Sequence, residues 1–279
     1  MALTKVLITV KTYPAISTKY EELVCTAGFL EDGTWIRIYP VQFRKKGYNE
    51  QYKKYDWVEL DLVKNVSDFR PESYRPVSHD SEIKIINEIK ADGGSWHDRR
   101  HFVLNKVYTN LTSLITEAKD KNICTSLAVF KPKEVLDIII EPCEREWSKE
   151  KLESLKQLNI FDSILAEKPK VVRKLPYKFS YSFTDEEGRK SILMIEDWEL
   201  GQLYWNCLKG HDGHDKEARA CADVRKKYLD DFAKTKDLHL FLGTSKQFHL
   251  IAPNPFLVIG TFHPKFPVAK KAQSQLKLF

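Results

Sequence analysis

The residues with the clearest chemical potential are acids, histidines and lysines spread along the chain. Asp197-Trp198-Glu199 sets two carboxylates at the expected start of a helix, directly after a hairpin strand. Such a pair can hold a divalent cation, but acids in a first helical turn also complement the helix dipole without any catalytic role. His239, His249 and His263 fall on or beside expected strands of the C-terminal third. Convergence of the three would make a site with Asp197 and Glu199; singly, each reads as a structural histidine. His211 and His214 have ligand-like spacing, yet no second ligand pair follows at an expected distance, and a glycine-flanked loop explains them better. Metal-dependent nucleases place acids and a lysine around a cation so that a water is activated beside the scissile phosphate. Glu82-Ile83-Lys84 and Glu88-Ile89-Lys90, with Asp80 upstream, have that composition but sit in a segment whose spacing predicts a helix, where the pattern requires a strand. Mg²⁺ is therefore implied only if the chain is a nuclease, and no metal ligands are assigned. Leu242-Gly243-Thr244-Ser245-Lys246 lacks the glycine spacing of a phosphate-binding loop. The residues alone name no catalytic group.

Binding is better marked. Between Phe43 and Tyr55 the chain interleaves Arg44, Lys45, Lys46, Lys53 and Lys54 with four aromatics and a single acid. Cations pair with phosphates and aromatic faces stack on unpaired bases, which suits single-stranded or distorted nucleic acid. The expected contacts are the five cations on phosphates, with Tyr48, Tyr52 or Trp35 stacking. A second cluster, Trp96 to His101, offers Arg99 and Arg100 at an expected helix start. Both clusters also have a plain reading, as a solvated connector and as internal salt bridges.

The chain ends Lys270-Lys271-Ala272-Gln273-Ser274-Gln275-Leu276-Lys277-Leu278-Phe279, with no acid after Pro267. Gln275-Leu276-Lys277-Leu278-Phe279 resembles the short peptide, broadly Gln-Leu-x-Leu-Phe, with which bacterial replication and repair proteins dock on the sliding clamp. Read from Gln273, it also resembles a truncated form of the archaeal and eukaryotic clamp motif. The resemblance covers five to seven residues and does not extend to the body of the chain. It implies a clamp partner, with Leu276, Leu278 and Phe279 filling an apolar pocket and the Gln275 amide at its rim. A short peptide needs such concentrated anchors to offset its ordering entropy.

These residues need elements to position them. The first third reads as strands: 6–10, 22–29 and 34–41 about a Glu31-Asp32-Gly33 turn, and 57–63. Ile83, Ile86 and Ile89 have helical spacing, and a second helix is expected from about Trp96 through Ile115. Strands follow at 127–130 and 135–140, then a charged helix from Ser148 and a proline-bearing linker over 166–176. A hairpin over 177–195, helices at 197–208 and 216–234, and strands at 238–242 and 256–262 complete the body. The expected fold is α+β. It comprises a small antiparallel β sheet or barrel over 1–80, a helical or mixed middle over 81–165, a mixed α/β unit over 166–266 and a flexible tail over 267–279.

With 279 residues, 42% of them hydrophobic, the chain is too apolar for disorder and long enough for a real core. No apolar run reaches the roughly 18 residues of a membrane span. Five scattered cysteines without a CxxC pair fit a reducing, cytoplasmic setting. A net charge of +6 permits an anionic partner without requiring one. The expectation is a DNA-associated accessory or processing protein, recruited to a sliding clamp, with nuclease or base-processing chemistry if it is an enzyme. The alternatives are a non-catalytic DNA- or RNA-binding module and an enzyme acting on a small nucleotide.

Overall fold

In a computed structural model, residues 3–17, 21–78, 80–159 and 171–267 are described. The N-terminal part holds β1 (Thr4–Lys11), β2 (Ala15–Ser17), β3 (Glu21–Phe29), β4 (Trp35–Val41), β5 (Asp56–Leu60), β6 (Leu62–Lys64), β7 (Ser73–Pro76) and β8 (Lys84–Glu88). Next come α1 (His97–Val103), β9 (Val107–Tyr108), α2 (Leu111–Lys119), β10 (Leu127–Phe130), β11 (Glu134–Pro142) and α3 (Lys149–Asn159). The chain continues with β12 (Tyr177–Thr184), β13 (Lys190–Met194), α4 (Trp198–Lys209), α5 (Lys216–Arg225) with a π-helical extension over Lys226–Ala233, β14 (His239–Thr244) and β15 (Phe256–Phe262). The fold is α+β. No helix among the described residues is long and apolar enough to cross a membrane.

The strands form three sheets. The first runs β6-β7-β4-β3-β1-β5-β8, with β2 added to β3, and is antiparallel except between β4 and β7. The second runs β15-β14-β10-β9 and the third β11-β12-β13. Both faces of the first sheet are apolar, and β1 shows how. A bulge between Ile8 and Val10 puts Leu7 and Val10 on one face, whereas Val6 and Ile8 lie on the other. Leu7 and Val10 pack with Trp57, Val129, Phe241 and Phe262, joining the first sheet to the second. Val6 and Ile8 pack with Ile36, Ile38, Phe43, Tyr52 and Val58 on the opposite face of the first sheet. A third core sets α2, α4 and α5 against β12 and β14 through Leu114, Leu200, Tyr204, Val224, Tyr181 and Leu240.

A polar joint ties the first two sheets together. Arg37 of β4 is buried and donates to the carbonyl oxygens of Ser126 and Thr244, at 3.0 and 3.2 Å. Arg70, held by Asp68 in a two-pronged pair, reaches the same Thr244 carbonyl. The Gly243-Thr244-Ser245-Lys246 turn is thus part of an internal clasp.

Two expected elements differ. Residues 84–88 form strand β8, paired with β5, in place of a helix. The i, i+3 isoleucine spacing fits either element, and the β-branched content favours the strand once β5 offers an edge. The helix expected from Trp96 to Ile115 is divided: Val107 and Tyr108 pair with β10, and α2 starts afresh where the Asn110 side chain accepts the Ser113 amide at 2.9 Å. The 29–35 hairpin turn, the β14–β15 pair and the helices from Asp197 and Lys216 stand where the sequence places them. The linker over 166–176 is described only from residue 171, and the tail only to residue 267.

The end of β1 is docked on α4. The Tyr13 amide donates to the Glu196 carbonyl at 3.0 Å, and Thr12 makes a β-bridge to Asp197. The Tyr13 ring lies so close to Gly201 that an added Cβ would sit 2.1 Å from a ring carbon. A glycine inside a helix gives up about 1 kcal/mol relative to alanine, so the close approach explains its presence. Gly201→Ala is expected to lose about 1–3 kcal/mol of stability by chemical denaturation despite the gain in helix propensity; a more stable variant would show that the contact is dispensable.

Candidate functional site

Three elements meet at one point: the end of β1, the 51–55 turn that leads into β5, and the first turns of α4. Asp197 caps α4, its carboxylate accepting the Glu199 amide at 3.2 Å. This cap, the hairpin strand before it and the β-bridge to Thr12 fix Asp197 in the interior, where it is about 1% exposed. Asp56 organises the turn opposite, accepting the Lys53 amide at 2.7 Å. Tyr55 follows with φ at +72°, a left-handed conformation rare for a bulky residue. Its amide donates to the Ile8 carbonyl, and its ring lies under the Arg99 guanidinium at 3.9 Å.

This turn directs Lys54 inward. Its ammonium donates to both Asp197 oxygens, at 2.9 and 3.0 Å, and to Glu199 Oε2 at 2.8 Å. An ammonium has three N–H donors, and all three are matched by carboxylate oxygens. The Lys54 side chain is 5% exposed, the Asp197 side chain fully buried and that of Glu199 half-exposed. Burial opposes the charge on Lys54, but the two carboxylates outweigh it and hold this lysine above its ordinary range. Burial pushes Asp197 upward against the pull of Lys54, while Glu199 is held below the usual range because Lys54 outweighs its desolvation.

A second lysine lies beside this cluster with different partners. Lys11 ends β1 and is 8% exposed. Its ammonium sits 3.9 Å from the Phe43 ring centre and 4.7 Å from that of Trp198, and donates to the Tyr52 carbonyl at 3.3 Å. Burial, reinforced by the adjacent Lys54, brings it down to about 8. Keeping this amine charged in the folded chain costs on the order of 3 kcal/mol. A cavity of about 400 Å³ opens here, lined by Lys11, Lys53, Lys54, Trp198 and Glu199 together with Gln202, Leu203 and Asn206 of α4. Gln202 and Asn206 are four residues apart and share a helix face.

The structure divides the candidates drawn from the sequence. Asp197 and Glu199 come together on Lys54, and His263 lies within electrostatic reach of Lys54 and Glu199. Its ring stacks on Phe232 at 3.6 Å, and burial, with Lys54 second, brings it down to about 3, so it is neutral at pH 7. His239 and His249 lie at opposite ends of the β14 region. The first bonds the Asp237 carbonyl, and the second bridges Thr244 and the Ala118 carbonyl, both at 2.7 Å. His211 pairs with Asp223. Among the described residues no three His, Cys, Asp or Glu side chains are grouped to hold a metal.

In the basic loop, Tyr48 is 88% exposed, and Arg44, Lys45 and Lys53 are also on the surface. Lys46 is tied to the Ser81 carbonyl and to Glu50. Tyr52 is buried, its hydroxyl bonded to Thr26, and Lys54 faces the interior, so neither lies on the outer surface of the loop. Trp35 packs between Phe29 and Phe241. Arg99 is buried and donates to the Ile89 carbonyl; Arg100 is engaged by Asp237 and the Lys265 carbonyl. Internal partners therefore occupy both arginines. Gln275, Leu276, Leu278 and Phe279 lie outside the described residues. Sequence reasoning missed Lys11, Gln202 and Asn206; the available signal was a lysine continuing the inward-facing β-branched run of β1.

The Lys54–Asp197 pair is testable by a double-mutant cycle. Lys54→Met alone is expected to lose about 3 kcal/mol, because it strands a buried carboxylate. Combined with Asp197→Asn, it should lose about 2 kcal/mol less than the sum of the single changes; strict additivity in denaturant unfolding would contradict the pairing.

Two family profiles divide the chain between them. One, described as a domain of unknown function (DUF8758), matches residues 2–105, and another, described as a domain of unknown function (DUF8757), matches residues 107–279. No curated protein matches the chain. Among solved structures, a murine DNA-binding protein bound to double-stranded DNA aligns over 97% of this chain and 99% of its own, at 10% identity and a TM-score of 0.31. A likeness this low carries no argument for the present chain. The match over residues 107–279 spans more than half of the sequence, and by it this protein belongs to the DUF8757 family.

Proposed function

We propose that this protein binds single-stranded or distorted nucleic acid along the 43–55 loop and receives one nucleotide unit in the cavity beside Lys11. The observation that carries this reading is the position of Lys53, which belongs both to the exposed basic loop and to the cavity lining. A backbone followed by Arg44, Lys45 and Lys53 would reach the cavity rim at that residue. Inside, Trp198 offers an aromatic wall, Gln202 and Asn206 offer donors and acceptors for a base edge, and the lysines favour an anion. Tyr48, the most exposed aromatic of the loop, supplies a stacking face outside. The volume falls in the range of small-ligand sites.

On this reading Tyr48→Ala weakens binding of a fluorescent single-stranded oligonucleotide about tenfold, the usual weight of one stacked base. Lys45→Ala with Lys53→Ala lowers the slope of log affinity against log salt by about 1.4, at roughly 0.7 per phosphate contact. Thermal stability should be unchanged in both. Affinity and salt slope that ignore these changes would remove the loop from the interface.

Recruitment to a sliding clamp is the second part of the reading. It rests on the Gln275–Phe279 peptide, with its apolar anchors Leu276, Leu278 and Phe279 placed after Lys270 and Lys271. Removal of residues 276–279 is expected to abolish capture on an immobilised clamp ring while leaving oligonucleotide affinity intact. Capture that survives the deletion would end the clamp assignment.

A further inference from the structure

We propose that Lys11 is a nucleophilic amine that forms an imine with the aldehyde of an open-chain sugar, as left where a nucleic acid has lost a base. The aldehyde source rests on the nucleic-acid reading above; the reactive amine rests on its burial, its partners and the charge beside it. Lysine amines in proteins are ordinarily solvated at the surface or paired with carboxylates. Lys11 is neither. Its side chain is enclosed, it lines the cavity, and its hydrogen bond to the Tyr52 carbonyl is long, at 3.3 Å. Of the three carboxylates that act on it, Asp197 and Glu199 are hydrogen-bonded by all three donors of Lys54, and Asp56 accepts the Lys53 amide. Lys54 thus occupies the hydrogen-bonding positions of two of these carboxylates and adds a positive charge beside Lys11, and burial with that charge outweighs the attraction of the three acids. Burial and that charge together bring the amine down to about 8, so an appreciable fraction is neutral near physiological pH.

The surroundings supply the remaining parts of the reaction. The neutral Lys11 nitrogen attacks the aldehyde carbon, and the carbonyl pair moves to oxygen, giving a carbinolamine. Glu199, on the cavity wall and half-exposed, relays the two nitrogen protons in turn to that oxygen, which leaves as water when the C=N bond forms. A carboxylate can then take a proton from the carbon next to the imine. The released pair forms a C=C bond, and the neighbouring C–O bond to phosphate breaks, with the phosphate leaving with the bonding pair. Hydrolysis of the imine returns Lys11. No oxidant, reductant or metal enters the balance. Lys53 at the rim is placed to hold the flanking phosphate, and Trp198 to shield the imine from water.

The test uses the full-length protein, a single-stranded oligonucleotide with one base-free deoxyribose aldehyde, and sodium borohydride, which reduces an imine to a stable amine link. Expected is a covalent protein–oligonucleotide adduct that peptide mass mapping places on Lys11. The adduct falls at least twentyfold in Lys11→Met and Lys11→Arg and persists in the surface variant Lys190→Met. If the Lys11 variants do not fold, mapping on the unmodified chain decides the point alone. An adduct spread over other lysines, or unaffected by Lys11→Met, overturns the proposal. Two further arms separate this reading from the nucleic-acid one. An oligonucleotide with a reduced, aldehyde-free sugar that binds well, while its aldehyde counterpart gives no adduct, overturns the amine and keeps the nucleic-acid interface. Absence of oligonucleotide binding, with pyridoxal 5′-phosphate trapped selectively on Lys11, keeps the amine and overturns the nucleic-acid interface.

Discussion

A single buried ammonium organises this region. Lys54 is enclosed between the first sheet and helix α4, and all three of its N–H groups point at Asp197 and Glu199. A lone charge in that position would be strongly unfavourable, and so would a lone Asp197. Each is tolerable because the other is there, across 143 residues of sequence. Everything else at the junction is arranged to keep them in register. The Asp56 contact shapes the turn, Tyr55 adopts a left-handed backbone, Asp197 doubles as the cap of α4, and Gly201 admits the Tyr13 ring. The junction joins the segment matched by the DUF8758 profile to the DUF8757 segment, so the two are coupled through charge as well as through the apolar contacts of Leu7, Val10 and Phe241.

That pairing has a consequence for Lys11. Three carboxylates act on Lys11, but Asp197 and Glu199 are hydrogen-bonded by Lys54, and Asp56 by the Lys53 amide. Lys11 is left with aromatic rings and one carbonyl oxygen. Ring faces attract a cation more weakly than a carboxylate does, so desolvation dominates its ionisation. A fold selected for stability alone would place methionine or leucine there. Stored cost of this kind is typical of residues that do chemistry. Another buried charge cluster, Arg37 and Arg70 on the Thr244 carbonyl with Asp68 on Arg70, serves to join two sheets.

Much of the architecture could be read from the residues. Turn chemistry located the Glu31-Asp32-Gly33 hairpin, and Asp197 with Glu199 marked the start of α4, where the structure shows Asp197 as its cap. The 84–88 strand was obscured because three isoleucines at i, i+3 spacing fit a helix face equally well, and only the β5 edge decides. The break between α1 and α2 depends on a two-residue pairing with β10 that no local window contains. The site was half legible. Asp197 and Glu199 stood out by type and spacing, as did the basic loop, but the inward turn of Lys54 and the burial of Tyr52 follow from packing against distant elements. The one local sign of Lys11 was its place at the end of the β-branched run of β1, and a lysine at a strand end is ordinarily solvated.

Lys54 takes the hydrogen bonds of Asp197 and Glu199 and leaves the Lys11 amine poorly paired within the cavity. NMR titration of the intact protein labelled at the lysine side-chain ε positions, with Lys11→Arg and Lys54→Arg used for assignment, reads this directly. Lys11 should titrate near 8, about 2.5 units below an ordinary lysine, whereas Lys54 should remain charged beyond the range of the surface lysines. Both amines titrating together near 10.5, the ordinary lysine value, would contradict the account.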